Sequence, residues 1–156
     1  MPQLVKGGKY VFGLSVVGAG GAITIPPEAL AEYGYRVGDR VIVMSGSRTS
    51  GGLAVTKTDN LEKSALRPLV SDLTALTKYA VPQGEVVRQR RRCFAWTIIG
   101  GGGSIRLPPA TLAAYGLKPG DRLAVGRGSH LAIAFIARGT ILEEALRHPE
   151  LEVFGG

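Results

Sequence analysis

The runs "RVIVM" (40–44) and "RLAVG" (122–126), each a short apolar stretch after an Arg, and the returns "LAVTK" and "LAIAFIA" are read as strands, with their period of two. Bounded by turn residues, each pair predicts a β-hairpin. Ahead of each hairpin the period changes. Leu30 with Tyr33, and Leu112 with Tyr115, place apolar residues three apart behind a Pro-Pro pair and just before Gly34 or Gly116. Proline suits a first helical turn and glycine a left-handed helix stop, so a short helix is predicted at each place. Further upstream, β-rich runs (Tyr10 to Val17; Val86 to Ile99) meet the glycine clusters "GAGG" and "GGGG", followed by the short strands "AITI" and "SIRL". "RVGD" and "KPGD" supply the Gly and Asp of a turn before each hairpin.

The same order of elements therefore occurs twice. Sliding Phe12 onto Phe94 aligns "FGLSVVGAGGAITIPPEALAEYGYRVGDRVIV" with "FAWTIIGGGGSIRLPPATLAAYGLKPGDRLAV". Gly20/Gly102, Ile23/Ile105, Pro26/Pro108, Tyr33/Tyr115, Gly38/Gly120, Asp39/Asp121 and Arg40/Arg122 are among the identical pairs. "LEKSALRP" at 61–68 echoes "LEEALRHP" at 142–149, which extends the duplicated unit through a trailing helix. The organisation read from this is a first repeat over 1–68, a helical connector over 69–84, and a second repeat with a C-terminal helix and tail over 85–156. One unit has too few strands to cover its own apolar face and edges, so the two are expected to pack into a single core.

Composition narrows the class. The 156 residues carry 45% hydrophobic side chains, 23 Gly and 9 Pro with only 6% aromatics, which favours a mostly β protein with short helices. A formal charge of +7 favours a polyanionic partner. Neither half is acidic: residues 1–80 hold nine Lys and Arg against six acids, and residues 81–156 ten against six. The single cysteine, Cys93, excludes an internal disulfide. No apolar run has the length of a signal peptide or a membrane span, so a soluble, cytoplasmic chain is expected.

Strand, "ITIP", short helix, Gly, "GDRV" and hairpin together resemble the AbrB/SpoVT/MazE family of swapped-hairpin proteins, on "ITIPPEALAEYGYRVGDRVIV" and "IRLPPATLAAYGLKPGDRLAV". The resemblance implies a tandem-duplicated swapped-hairpin β-barrel with a pseudo-twofold axis, in which one chain supplies both halves that family members obtain by dimerising. It also implies double-stranded DNA as partner. The family's DNA-contacting basic positions fall here on Ala22 and Ser104, and near Ser15, Val16, Thr97 and Ile98, none of which is basic.

Other cations take their place as candidates. "RQRRR" brings Arg88, Arg90, Arg91 and Arg92 together, with the milder Lys6 and Lys9 as its counterpart in the first repeat. Read as one continuous strand, Arg88, Arg90 and Arg92 share a face and Gln89 and Arg91 the other. Such guanidiniums neutralise phosphates, or equally blunt an exposed sheet edge. Arg106 replaces Thr24 of the first repeat and is the further candidate. Arg40 and Arg122 recur beside Asp39 and Asp121 and read as turn residues. The glycine clusters lack the Lys-Ser/Thr ending of a phosphate-binding loop and read as flexible loop tips.

No catalytic constellation is visible. His130 and His148 lie apart, one in a hairpin turn and one at a helix end, and one cysteine makes no zinc cluster. Neither enzymatic activity nor a cofactor is expected. The expected function is that of a DNA-binding transcriptional regulator gripping duplex backbone through basic residues at the barrel rim, one half more strongly than the other. The alternative is an antitoxin-like or adaptor module that keeps the barrel without DNA binding and offers its C-terminal helix and "ELEVF" tail to a protein partner. A ligand-binding barrel of double-psi type is a third reading, for which the sequence offers no polar pocket signature. Either a pseudo-dimeric monomer or a homo-oligomer fits the repeat.

Overall fold

The computed structural model describes residues 11–155. Lys6 and Lys9 lie outside the described residues. The first repeat contains β1 (Val11–Val16), β2 (Ala22–Thr24), α1 (Pro27–Tyr33), β3 (Arg40–Ser45), β4 (Leu53–Thr56) and α2 (Thr58–Glu62). Two helices follow, α3 (Arg67–Asp72) and α4 (Thr74–Thr77), so the predicted connector helix is broken at Leu73. The second repeat contains β5 (Val87–Gln89), β6 (Arg92–Ile98), β7 (Ser104–Arg106), α5 (Pro109–Ala114), β8 (Arg122–Ser129), β9 (Ala132–Ile136), α6 (Thr140–Ala145) and β10 (Val153–Gly155). The fold is mostly β with short helices, as expected.

Eight strands form one mixed sheet in the order β10-β1-β8-β9-β4-β3-β6-β5, and β2 pairs separately with β7. The pairing runs between the repeats: β1 with β8, β3 with β6, β4 with β9 and β2 with β7, all antiparallel. An offset of 82 residues exchanges the two halves of this order about the β9–β4 seam. A closed barrel is not formed among the described residues, because the ladder ends at β10 on one side and β5 on the other. Both ends carry strands outside the set paired between the repeats, and among the described residues their outer edges leave the sheet open.

The same exchange governs the turns. Asp39 accepts the Arg36 backbone N–H at 2.9 Å, and Asp121 that of Lys118 at 3.0 Å. Each turn then docks on the other repeat: Gly38 N–H donates to Ile99 O and Gly120 N–H to Val17 O, both at 2.7 Å. Lys57 Nζ lies 2.6 Å from Asp39 and holds that carboxyl below its ordinary range, helped by the Arg36 N–H. A structural role for these aspartates agrees with the reading of the turn.

Between the sheet and the layer of β2, β7, α1 and α5 lies the main core, filled almost equally by both repeats: Phe12, Ile23, Ile25, Val41 and Val55 meet Ile99, Ile105, Leu107, Leu123 and Phe135. On the outer face, α6 and Leu151 cover Val11, Leu14, Ala124 and Ile136. Residues Leu61, Leu73 and Leu76 of the α2–α4 region cover Ile42, Met44, Phe94 and Trp96. Tyr79 closes this second cover. It meets the Trp96 ring edge-on at 5.3 Å, Arg40 lies 5.0 Å over its face, and Trp96 Nε1 donates to Val81 O at 2.7 Å. Arg40 is thus engaged with aromatic faces as well as flanking the turn.

The C-terminal segment was a candidate surface for a partner, but the chain uses it internally. β10 adds to β1 in parallel, with Leu14 opposite Val153 and Ser15 opposite Phe154. Gly13 makes room for it: a Cβ there would stand 2.8 Å from Glu152 O and 2.9 Å from the Phe154 ring. The equivalent residue in the second repeat is Ala95, which pairs with Val43 of β3.

Candidate nucleic-acid interface

The arginine run does not continue as one strand. Arg88 pairs with Cys93 and Gln89 with Arg92, so β5 and β6 form a hairpin whose two-residue turn is Arg90-Arg91. Residues directly opposite in an antiparallel pair share a face. Arg88 therefore shares a face with Cys93, and Arg92 shares the other with Gln89, which corrects the expectation that Arg88 and Arg92 lie together. The hairpin was hidden because "RR" is a poor turn sequence; two-residue hairpin turns favour Asn-Gly or Gly, which tolerate positive φ.

That cost is visible at Arg90, which has φ 56°. A non-glycine residue held in the left-handed region stores about 1 kcal/mol or more. Replacing Arg90 by Gly is accordingly expected to raise stability by about 1 kcal/mol, read as a higher denaturation midpoint with an unchanged denaturant slope. Arginine is kept at the position against the backbone's own preference.

All four side chains of the run are exposed. Arg88 Nη1 lies 3.3 Å from the buried Cys93 Sγ, which orients its guanidinium towards α5. Arg90, Arg91 and Arg92 have no hydrogen-bonding or carboxylate partner among the described residues. Some other cations are paired: Arg127 chelates Glu32 through Nε and Nη2 at 2.5 Å, and Lys118 pairs with Asp121 at 2.9 Å. The Glu32 carboxyl is lowered mainly by that hydrogen bond.

Arg106 is exposed in β7, opposite Ala22. Its Nη1 makes only a long 3.5 Å contact with Gly20 O. A hollow of about 320 Å³ runs from Gly20 and Arg106 to Gln83, Gly84 and Pro108. A second, of about 700 Å³, shares those last three residues and continues past Thr111 to Arg88. Arg106 and Arg88 are thereby joined along one concave track. Its wall is fixed: Gly84 N–H donates to Trp96 O at 2.8 Å, Thr111 Oγ1 donates to Gly84 O, and Gln83 Nε2 donates to Thr97 Oγ1 at 3.2 Å. Sequence reasoning missed Gln83 and Gly84, since only the fold brings this stretch beside Arg106.

The two halves differ here. Arg106 corresponds to Thr24 and Arg88, Arg91 and Arg92 to Lys6, Lys9 and Tyr10. Thr97, satisfied by Gln83, corresponds to Ser15, whose hydroxyl is buried without a partner among the described residues. Ala22 and Ser104, at the start of β2 and β7, are small and uncharged.

The glycine clusters form hydrogen-bonded turns whose tips, Ala19-Gly20 and Gly101-Gly102, are exposed. Gly18 N–H donates to Ala22 O at 2.9 Å and Gly100 N–H to Ser104 O at 2.8 Å, while Gly21 and Gly103 N–H close back onto Gly18 and Gly100. Amides committed to these turns do not make an anion nest. His148 bridges Glu144 and Glu150, and its imidazole pKa is raised, chiefly by the Glu150 hydrogen bond. Among the described residues, no group of three or more His, Cys, Asp or Glu side chains is placed to hold a metal ion. No helix among them is long and apolar enough to cross a membrane.

No family model matches the sequence. No curated protein matches it either. Among solved structures, the chain is similar to the solution structure of PHS018 from Pyrococcus horikoshii, at 15% identity over 82% of this chain and 92% of that one, with a TM-score of 0.37.

Proposed function

We propose that the protein is a DNA-binding regulator in which two fused AbrB/SpoVT-like units form one pseudo-twofold body, and that the arginine-bearing half grips the duplex backbone. The interleaved pairing of the two repeats supports the fused swapped-hairpin reading, although the sheet stays open at its edges. One observation carries the DNA reading. Arg90, Arg91 and Arg92 crown an edge hairpin without a carboxylate partner among the described residues, on a backbone that arginine strains. A solvated edge guard needs charge but not that conformation.

Arg88 and Arg106 extend the cationic surface along the track beside Gln83 and Gly84. Guanidiniums on both faces of the hairpin suit backbone contact, because phosphates flank a groove on either side. No helix among the described residues is long enough to act as a recognition helix: α1 has seven residues and α5 six. Affinity is therefore assigned to phosphate neutralisation, with counterion release as the driving force.

Each phosphate contact contributes about −0.9 to the slope of log K against log salt. The variant with Arg88, Arg90, Arg91 and Arg92 changed to Ala should flatten that slope by about three to four units on a random-sequence duplex. Its fold should survive, because all four side chains are exposed. An unchanged slope would place phosphate contacts elsewhere. Absence of wild-type binding at low salt would sink the regulator reading and favour the adaptor reading, for which the uncharged Ala22 and Ser104 speak.

A further inference from the structure

Beside the arginine hairpin lies a hollow that duplex backbone contact does not require. It is about 460 Å³, within the size range of small-molecule sites, and lies between the start of α3 and the hairpin tip. One wall is apolar, made by Ala65, Leu66 and Pro68, and the other carries Arg90, Arg91 and Arg92. Leu66 is held in place because it packs against the outer-face core. Asp72 also lines the hollow, and its Oδ2 accepts from Gln89 Nε2 at 3.4 Å, which ties α3 to β5.

Three guanidiniums against a single carboxylate leave the hollow positive. An apolar wall opposite them has nothing to offer an inorganic ion, and a purely apolar ligand would leave the arginines idle. The chemistry that uses both walls is a phosphorylated ligand with a flat or apolar body. A nucleotide is of this kind: its phosphates accept charge-assisted bonds from the arginines, and its base lies on Leu66 and Pro68. Asp72 retains lone pairs for a ribose hydroxyl or an exocyclic amine.

We propose that this hollow is a nucleotide site, filled by a free nucleoside polyphosphate or by the terminal nucleotide of a nucleic-acid strand. The inference shares the phosphate chemistry of the proposed function but adds the apolar wall as a distinct requirement. Arg90, whose backbone is held at φ 56°, lines this hollow.

The test is a titration of the isotopically labelled full chain, followed by amide shifts, with four probes: ATP, tripolyphosphate, adenosine and a 5′-phosphorylated single-stranded tetranucleotide. ATP should move the amides of Ala65, Leu66 and Gln89 to Arg92, and tripolyphosphate should bind at least about tenfold more weakly. Arg91→Ala and Ala65→Glu should each weaken ATP by about tenfold, and both sites are exposed enough to leave the fold intact. A tetranucleotide equal to ATP identifies a strand end as the source, and ATP alone a free nucleotide; either result supports the site. Equal affinity for ATP and tripolyphosphate, or no shift at Ala65 and Leu66, would overturn it, as would failure of every probe. Ala65→Glu leaves all the arginines in place, so it should keep the duplex salt slope while losing ATP. Failure of this site is thereby separable from failure of duplex binding.

Discussion

Residues 1–80 made without the second repeat will not form a folded monomer. Among the described residues, the β3–β4 hairpin is the one strand pairing of the first repeat that lies within it. The partners of β1, β2, β3 and β4 across the other ladders all come from beyond residue 91. Half of the main core leaves with them, including Ile99, Leu107, Leu123 and Phe135. An isolated two-stranded hairpin is marginal in water, and burying a core side chain contributes about 1.5–3 kcal/mol, so the loss far exceeds a typical stability. Circular dichroism and sedimentation should find the fragment either unfolded or assembled with itself. Mixing it with residues 81–156 should restore native-like spectra in an equimolar complex. A folded monomeric fragment would contradict the interleaved core.

The second large effect lies at a single glycine. Gly21 has φ 81°, and a Cβ there would stand 2.2 Å from Leu107 O, a backbone atom of the other repeat. Its own carbonyl accepts Leu107 N–H at 3.1 Å, so the chain has no slack at the crossing of β2 and β7. Gly21→Ala should cost about 3 kcal/mol or more and lower the melting temperature by about 10 °C. The counterpart Gly103 gives the contrast. Its added Cβ would meet Leu30 Cδ1 at 2.8 Å, with backbone no nearer than Ile25 O at 3.5 Å. A side-chain end can turn away, so Gly103→Ala should be clearly the milder of the two. Thermal melts of the pair check this, and equal losses would show that the close approach at Gly21 is not decisive.

Much of this architecture was legible in the chain because the duplication repeats every local signal. The Pro-Pro starts of α1 and α5 fall where predicted, and the stop at Gly34 has the expected left-handed φ of 70°. The Gly-Asp turns keep their aspartates as backbone acceptors. Three features were not legible, each for a reason in the physics. The Arg90-Arg91 turn carries no glycine or asparagine, so the run reads as one strand. β10 is three residues long and pairs through the backbone, which residue type scarcely specifies, and Gly13 opposite Ala95 was its only trace. The open ends of the sheet arise from β5 and β10, which lie outside the aligned cores. The candidate site divides in the same way. Its arginines were visible by composition, whereas the track through Gln83 and Gly84 exists only after β6 and α5 have packed.

The central claim is that one half of a pseudo-symmetric body meets the duplex, and amide-shift mapping of the labelled chain with a short duplex tests it most directly. The account predicts salt-sensitive shifts at Arg88 to Arg92, at Arg106 and at Gln83 and Gly84, with little change at Thr24 or across the α6 face. Shifts of equal size at the matching positions of both repeats, or shifts confined to α6 and β10, would contradict it.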